Sequence, residues 1–301
     1  MKLPLTAVRP ALVNRLYRGA FRTGHGRKKG GVRQALSRPL FYLVEALKVP
    51  APSRLEVDLV VRGRPVTLSL SPWNRQLAPL YFARDLEGYE TLVARSIDAL
   101  LPDEGVFLDI GSNWGYFPLL FASRETFTGR ILAFEPVPSS YADLVEVVRQ
   151  AGLESWIETR RAAVGKGGGE IRMSVPRHSG LAKIDASGEG VSAPLIEIDS
   201  LGLDRIDVVK IDVEGHERAV FEGAVETLRR LGPALVFESG VGERQRAQPP
   251  IEFLESVGYR LHRPEIVAGE VVFQPFRAED RPRMEKYFNV VAWPETRDSG
   301  R

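Results

Sequence analysis

Asp109, Gly111, Asn113, Gly115 and, twenty residues on, Glu135 have the residue types and order of a site for a nucleoside-bearing ligand. The first four lie in Val106-Phe107-Leu108-Asp109-Ile110-Gly111-Ser112-Asn113-Trp114-Gly115, and Glu135 closes Ile131-Leu132-Ala133-Phe134-Glu135-Pro136. This reads as a strand, a glycine-bearing turn, a helix over 116–123 and a second strand ending in an acid. Gly111 and Gly115 let backbone approach a ligand where a Cβ would collide, and the helix that follows points free N–H groups back at the turn. A carboxylate at the end of the second strand suits two ribose hydroxyls. Asn113 stands where a dinucleotide fingerprint needs its second glycine, which argues against a pyrophosphate cradle. Asp109 on the lip of the turn would repel a phosphate and suits an ammonium group. Ribose and ammonium together point to S-adenosylmethionine.

Strands that position these residues alternate with helices. Strands are predicted over 106–109, 131–135, 157–164, 208–212 and 234–238, and helices over 89–100 and from about 217 to 230. Such alternation implies an α/β fold with a mostly parallel sheet and helices on both faces, ligands sitting at the carboxyl ends of the strands. Asp109, Glu135, Asp212 and Glu238 all fall on that rim. Ahead of them, alternating residues 55–61 and 65–70 flank Arg62-Gly63-Arg64 and predict a β-hairpin. The expected organisation is a basic N-terminal arm over 1–52, joined through Val49-Pro50-Ala51-Pro52 to a hairpin and catalytic domain over 53–301.

The 301 residues are 44% hydrophobic and 27% charged, the proportions of an ordinary soluble enzyme. There is no cysteine, which excludes disulfides, thiolate metal sites and a cysteine nucleophile. No apolar run nears the roughly 20 residues of a membrane span, nor does the start resemble a signal peptide, so a cytoplasmic location is expected. The net charge of +2 hides an asymmetry. Residues 1–50 hold eleven Lys or Arg against Glu45 alone, whereas the remainder holds 30 basic and 38 acidic residues, a net of −8. Within the arm, Leu12, Val13, Leu16 and Tyr17, and again Leu40, Leu43, Val44 and Leu47, recur at helical spacing on either side of a glycine-rich basic stretch. A basic amphipathic arm suits an acidic partner or the inner membrane surface, as well as a capping helix with a solvated tail.

Four segments carry a family resemblance: Asp109-x-Gly111-x-Asn113-x-Gly115, Phe134-Glu135-Pro136, Ile198-Asp199-Ser200-Leu201 and Lys210-Ile211-Asp212-Val213-Glu214-Gly215-His216-Glu217. Together with Gly88-Tyr89-Glu90 they resemble the FkbM family of S-adenosylmethionine-dependent methyltransferases over about residues 85–293. Ser112 stands for the usual alanine and Trp114 for the usual aliphatic residue. The resemblance implies a class I methyltransferase fold, Rossmann-like, with a seven-stranded sheet whose last strand is antiparallel, supplied by 258–261 and 288–293. It also implies methyl transfer to a hydroxyl oxygen of a sugar, glycan or secondary metabolite. Asp109 would face the methionyl amino group directly or through water, the backbone of Gly111, Asn113 and Gly115 would flank the methionyl part, Glu135 would hold the ribose, and Arg161 or Ala162 would lie near the adenine.

An alcohol acceptor must lose its proton. His216, expected in the first turn of a helix whose positive end favours neutral imidazole, is the leading base, with Asp212 and Glu214 as alternative bases or acceptor-orienting groups. His178 either lines the acceptor pocket or faces solvent. Asp212 and Glu238 supply too few fixed oxygens for magnesium, so no metal is expected. A nucleic-acid methyltransferase would suit the basic arm, but Asp212-Val213-Glu214-Gly215 lacks the Asn/Asp-Pro-Pro-aromatic sequence that seats an exocyclic amine, and aromatics are not interleaved with the basic residues. A non-catalytic cofactor-binding or docking module is the remaining class.

Overall fold

The computed structural model describes residues 5–9, 55–70, 90–174, 183–184, 190–213, 215–240, 250–277 and 287–296. The chain forms two compact units, Lys2–Tyr89 and Glu90–Arg301. The helices expected in the arm lie outside the described residues.

In the first unit, strands β1 (Leu5–Arg9), β2 (Leu55–Val61) and β3 (Arg64–Leu70) form an antiparallel sheet in that order. The expected hairpin is present. Arg62 and Gly63 both take left-handed backbone, φ 48° and 72°, the turn that matches the twist of two paired strands. Val57, Leu59, Val61, Leu68 and Leu70 bury one face, as the alternation requires. Thr67 Oγ1 donates to its cross-strand partner Asp58 at 2.7 Å on the other. The β1 strand lies in a stretch without strand alternation and was not anticipated.

The second unit is built on β4 (Val106–Ile110), β5 (Arg130–Phe134), β6 (Ile157–Arg160), β11 (Val208–Ile211), β12 (Ala234–Gly240), β13 (Tyr259–Val267), β14 (Glu270–Phe276) and β15 (Tyr287–Pro294). Their order across the sheet is β14-β13-β15-β12-β11-β4-β5-β6. The five strands from β12 to β6 run parallel, and β15 enters antiparallel between β12 and β13. Seven of these strands form the expected sheet with its antiparallel last strand. The eighth, β14, is an addition: after β13 the chain reverses through Ala268 and Gly269, φ 51° and 89°, and adds an edge strand. An Ala-Gly turn is a weak hairpin signal, because alanine seldom takes left-handed backbone.

Val208, Val209, Ile211, Leu235, Val236, Phe237 and their neighbours in β4 and β5 are almost wholly buried, as strands covered on both faces must be. The helices are α1 (Thr91–Leu100), α2 (Tyr116–Ala122), α3 (Pro138–Ala151), α4 (Glu217–Glu222), α5 (Val225–Leu231) and α6 (Pro250–Ser256).

Two expected elements are divided. The strand predicted over 157–164 stops at Arg160. Residues Ala163–Val164 (β7) leave the main sheet and pair with β10 (Val191–Ile196), which with β8 (Gly169–Ser174) and β9 (Lys183–Ile184) forms a four-stranded sheet ordered β7-β10-β8-β9. The helix predicted to run to about residue 230 breaks at Gly223. There a Cβ would lie 2.3 Å from the Gly165 carbonyl oxygen, and the Gly223 carbonyl accepts from the Asp199 amide. Asp199 then caps α5, its two carboxylate oxygens accepting from Thr227 and Glu226 amides at 2.7 and 3.1 Å. One of the motifs behind the resemblance is therefore a helix cap.

Candidate active site

The turn after β4 is fixed from three sides. Gly111 and Ser112 amides both donate to the Phe134 carbonyl at 3.0 Å, tying the turn to β5. Gly111 takes φ 78°, and a Cβ on it would lie 2.1 Å from the backbone oxygen of Asp212. The close approach of two backbones explains this glycine. Asn113 is itself left-handed, φ 50°, and its amide donates to Glu135 Oε2 at 2.8 Å. The other oxygen of Glu135 accepts from the Val137 amide at 2.9 Å. Trp114 is buried against Tyr116, ring centroids 5.9 Å apart, so its bulk sits in the core.

Glu135 is 5% exposed. Burial raises its carboxyl to about 7, against the two backbone amides that favour the anion. A folded-state value above the usual 4.5 means the native protein holds a proton that the unfolded chain has already lost, so this group's contribution to stability falls as pH rises from about 4.5 to about 7. The expected result is a melting temperature that declines over that window, with a smaller decline in Glu135→Gln; thermal scans in matched buffers check it.

Beneath the turn lies a buried ion pair. Lys210 of β11 faces Asp109 of β4 in strand register, with Nζ 3.1 Å from Asp109 Oδ1. The same ammonium donates to the Gly111 carbonyl at 2.9 Å, stands 3.7 Å from Asp212 Oδ2 and lies 5.2 Å from the Phe117 ring centre. Burial works against the charge on Lys210, but Asp109 and Asp212 outweigh it and hold the ammonium above the ordinary lysine range. Burial pushes the Asp109 carboxyl up, Lys210 pulling it back. Asp109 is fully enclosed, and neither of its carboxylate oxygens accepts a well-aligned hydrogen bond among the described residues. Its charge is already faced by Lys210.

The structure thus brings Asp109, Gly111, Asn113, Gly115 and Glu135 together at the carboxyl ends of β4 and β5. Ala162, buried, follows β6 on the same rim, its amide donating to the Arg160 carbonyl, while Arg161 is exposed. Asp212 borders a second recess of about 140 Å³ at the ends of β11 and β12, shared with Glu90, Lys210, Glu238 and Asn289. His216 is half-buried at the N-cap of α4 and is not among the described residues lining that recess. Because α4 has six residues, its end carries a weaker field than the long helix expected from sequence. Glu214 and His178 lie outside the described residues. Among the described residues no three His, Cys, Asp or Glu side chains cluster as a metal-holding set, and no helix is long and apolar enough to cross a membrane.

Sequence reasoning passed over Lys210, Glu90 and Glu217. Lys210 had a signal, since a lone lysine inside the apolar run 208–211 must have a buried partner. Glu217, 4% exposed, accepts from the Gly215 amide at 2.9 Å and so shapes the turn between β11 and α4.

The segment containing all of these except Glu90 and Asn289, residues 106–261, matches the Methyltransferase FkbM domain. The chain belongs to the FkbM methyltransferase family. Among curated proteins the FkbM chain is 27% identical over 203 residues to methyltransferase sdnD of Sordaria araneosa, covering 55% of this chain and 77% of the relative. It is 26% identical over 159 residues to hexuronic acid methyltransferase AglP of Haloferax volcanii, covering 51% and 63% respectively. Among solved structures, the FkbM methyltransferase of Methylobacillus flagellatus is similar at 15% identity and a TM-score of 0.45, over 65% of this chain and 45% of that one. The chain thus spans less than two thirds of the length of two of these three relatives. The FkbM domain is a methyltransferase domain on the α/β sheet described above.

Proposed function

We propose that the protein transfers a methyl group from S-adenosylmethionine to a hydroxyl oxygen of a sugar, glycan or secondary metabolite. The observation that carries this is the turn itself: two left-handed glycines and Asn113 are held open over the sheet by Glu135, with a buried carboxylate, Asp109, beneath. These residues fit the group. Glu135 uses one hydrogen bond per oxygen on backbone amides, which leaves further lone pairs for two ribose hydroxyls. Gly111 and Gly115 let the turn close against the Asp212 carbonyl and the Leu144 side chain, where a Cβ would collide, and so hold its shape. Asp109 is enclosed and faces Lys210, so its attraction to a methionyl ammonium acts at a distance rather than by contact. When bound, S-adenosylmethionine supplies an electrophilic methyl on a sulfonium.

The chain's own residues then do the remaining work. The recess beside Asp212 holds the acceptor, and Asp212 orients it. Alignment at about 3 Å and exclusion of water supply much of the acceleration of such a displacement. The haloarchaeal relative is named for a sugar acid and the fungal one simply as a methyltransferase, which supports a carbohydrate or metabolite acceptor as the class to screen.

Calorimetric titration with S-adenosylmethionine and S-adenosylhomocysteine, with NADH as control, tests the reading. Micromolar binding of the first two and none of NADH is expected; folded protein that binds neither overturns it. Because only the ionised Glu135 accepts on both oxygens, affinity should rise with pH through about 7. Glu135→Ala should weaken binding by about tenfold or more, the loss of at least one charge-assisted hydrogen bond. His216→Ala should spare binding; because His216 is not among the described residues lining the recess, a rate slowed about a hundredfold would make it, rather than a group of the recess, the base.

A further inference from the structure

The recess at the ends of β11 and β12 has an uneven charge. Its described lining carries one ammonium, Lys210, acted on by two lining carboxylates, Glu90 and Asp212, while the third lining carboxylate, Glu238, has a partner of its own. That ammonium lies closer to a fourth carboxylate, Asp109, at 3.1 Å than to Asp212 at 3.7 Å. Asn289, paired with Glu238 across β15 and β12, adds an uncharged amide. An anionic group placed here would be repelled by the carboxylates and find, among the described residues of the lining, no cation that is not already shared with Asp109. A hydroxyl group, by contrast, donates hydrogen bonds, and an ionised carboxylate only accepts them.

Glu90 differs from the other two acids. It stands just before α1 in left-handed backbone, φ 49°, a conformation that a non-glycine residue seldom takes. Its carbonyl accepts from the Ala94 amide at 2.8 Å, while its side chain makes no capping bond to the helix it precedes. The backbone is anchored and the carboxyl is left to the recess. Glu90 is an exposed residue as a whole, yet the partial desolvation of its carboxyl first and the Asp212 charge second raise that carboxyl above the ordinary range, Lys210 opposing. That direction brings a carboxylate nearer the basicity an alcohol requires of its proton acceptor.

We propose that the recess receives the reacting hydroxyl of an acceptor bearing no negative charge beside it, and that Glu90 is the catalytic residue that takes the hydroxyl proton. The inference rests on the methyl-donor reading above. In the step, the acceptor oxygen forms a bond to the methyl carbon, the carbon–sulfur bond breaks with its electron pair staying on sulfur, and the O–H proton passes to Glu90. A cationic sulfonium and a carboxylate thus become a neutral thioether and a carboxylic acid, so charge and atoms balance.

The experiment is transfer of radiolabelled methyl from S-adenosylmethionine by the full chain to two probe sets: methyl glycosides of neutral hexoses, and the matching hexuronates. Transfer to a neutral glycoside is expected, exceeding that to its uronate by about tenfold or more. At saturating S-adenosylmethionine, which removes the Glu135 dependence of donor binding, Glu90→Gln should slow it by about a hundredfold, abolish the rise of rate with pH on the acid side, and leave S-adenosylhomocysteine affinity within about twofold by calorimetry. Preference for a uronate, whether methylated on oxygen of hydroxyl or carboxylate, overturns the acceptor class. A Glu90→Gln variant with the wild-type rate or acid limb overturns the proton acceptor. Binding of S-adenosylhomocysteine without transfer to either set overturns both parts. Absence of that binding in folded wild-type protein instead overturns the methyl-donor reading.

Discussion

Gly111→Ala is expected to abolish S-adenosylhomocysteine binding and to lower stability by about 2–5 kcal/mol. The left-handed backbone accounts for about 1–2 kcal/mol of this. The rest comes from a Cβ 2.1 Å from the Asp212 carbonyl oxygen, a contact with backbone that no rotamer change relieves, typical of overpacking at about 1–3 kcal/mol. For a unit of this size, that is a fall of roughly 4–20 °C in melting temperature. Gly152→Ala is the matched control: its φ of 65° is also left-handed, yet nothing lies within 4 Å of the added carbon. A loss of about 1–2 kcal/mol is expected there. Equal losses at the two positions would show that strain alone, and not the meeting of two loops, makes Gly111 a glycine.

Lys210→Met should be at least as damaging, at about 3–5 kcal/mol, because it leaves the enclosed carboxylate of Asp109 without its counter-charge. Restoring neutrality from the other side should recover most of that. Asp109→Asn combined with Lys210→Met removes both charges, and replacing both members of a buried pair is often close to neutral. Thermal unfolding of the four proteins in a double-mutant cycle measures the coupling. A coupling energy under about 0.5 kcal/mol would mean that Asp109 and Lys210 are stabilised independently.

Much of the site was legible in the sequence because its parts are local. Asp109 to Gly115 form one turn, and Glu135 is one strand-helix-strand unit away, so spacing alone places them on a common rim. Lys210 was not assigned a role because its partners, Asp109 and Gly111, are about a hundred positions earlier and are met only through the β4–β11 register. Glu90 escaped for a similar reason: it belongs to the recess through the placement of α1 over β11, which no periodicity reports. The fold shows the same division. Alternation of strands and helices predicted the sheet, whereas the break at Gly223 depends on the carbonyl of Gly165, and the departure of 163–164 from the main sheet depends on pairing with residues 195–196. The β14 strand was missed because an Ala-Gly reversal is a poor turn signal.

The two oxygens of Glu135 tie down Asn113 and Val137 amides, and Phe134 ties down those of Gly111 and Ser112. The turn is therefore already assembled by the chain itself. Its amides should exchange slowly with deuterated solvent before any small molecule is added, and adding one should slow them little further. Recognition of this kind is fast and rigid, because the protein has almost no ordering left to do.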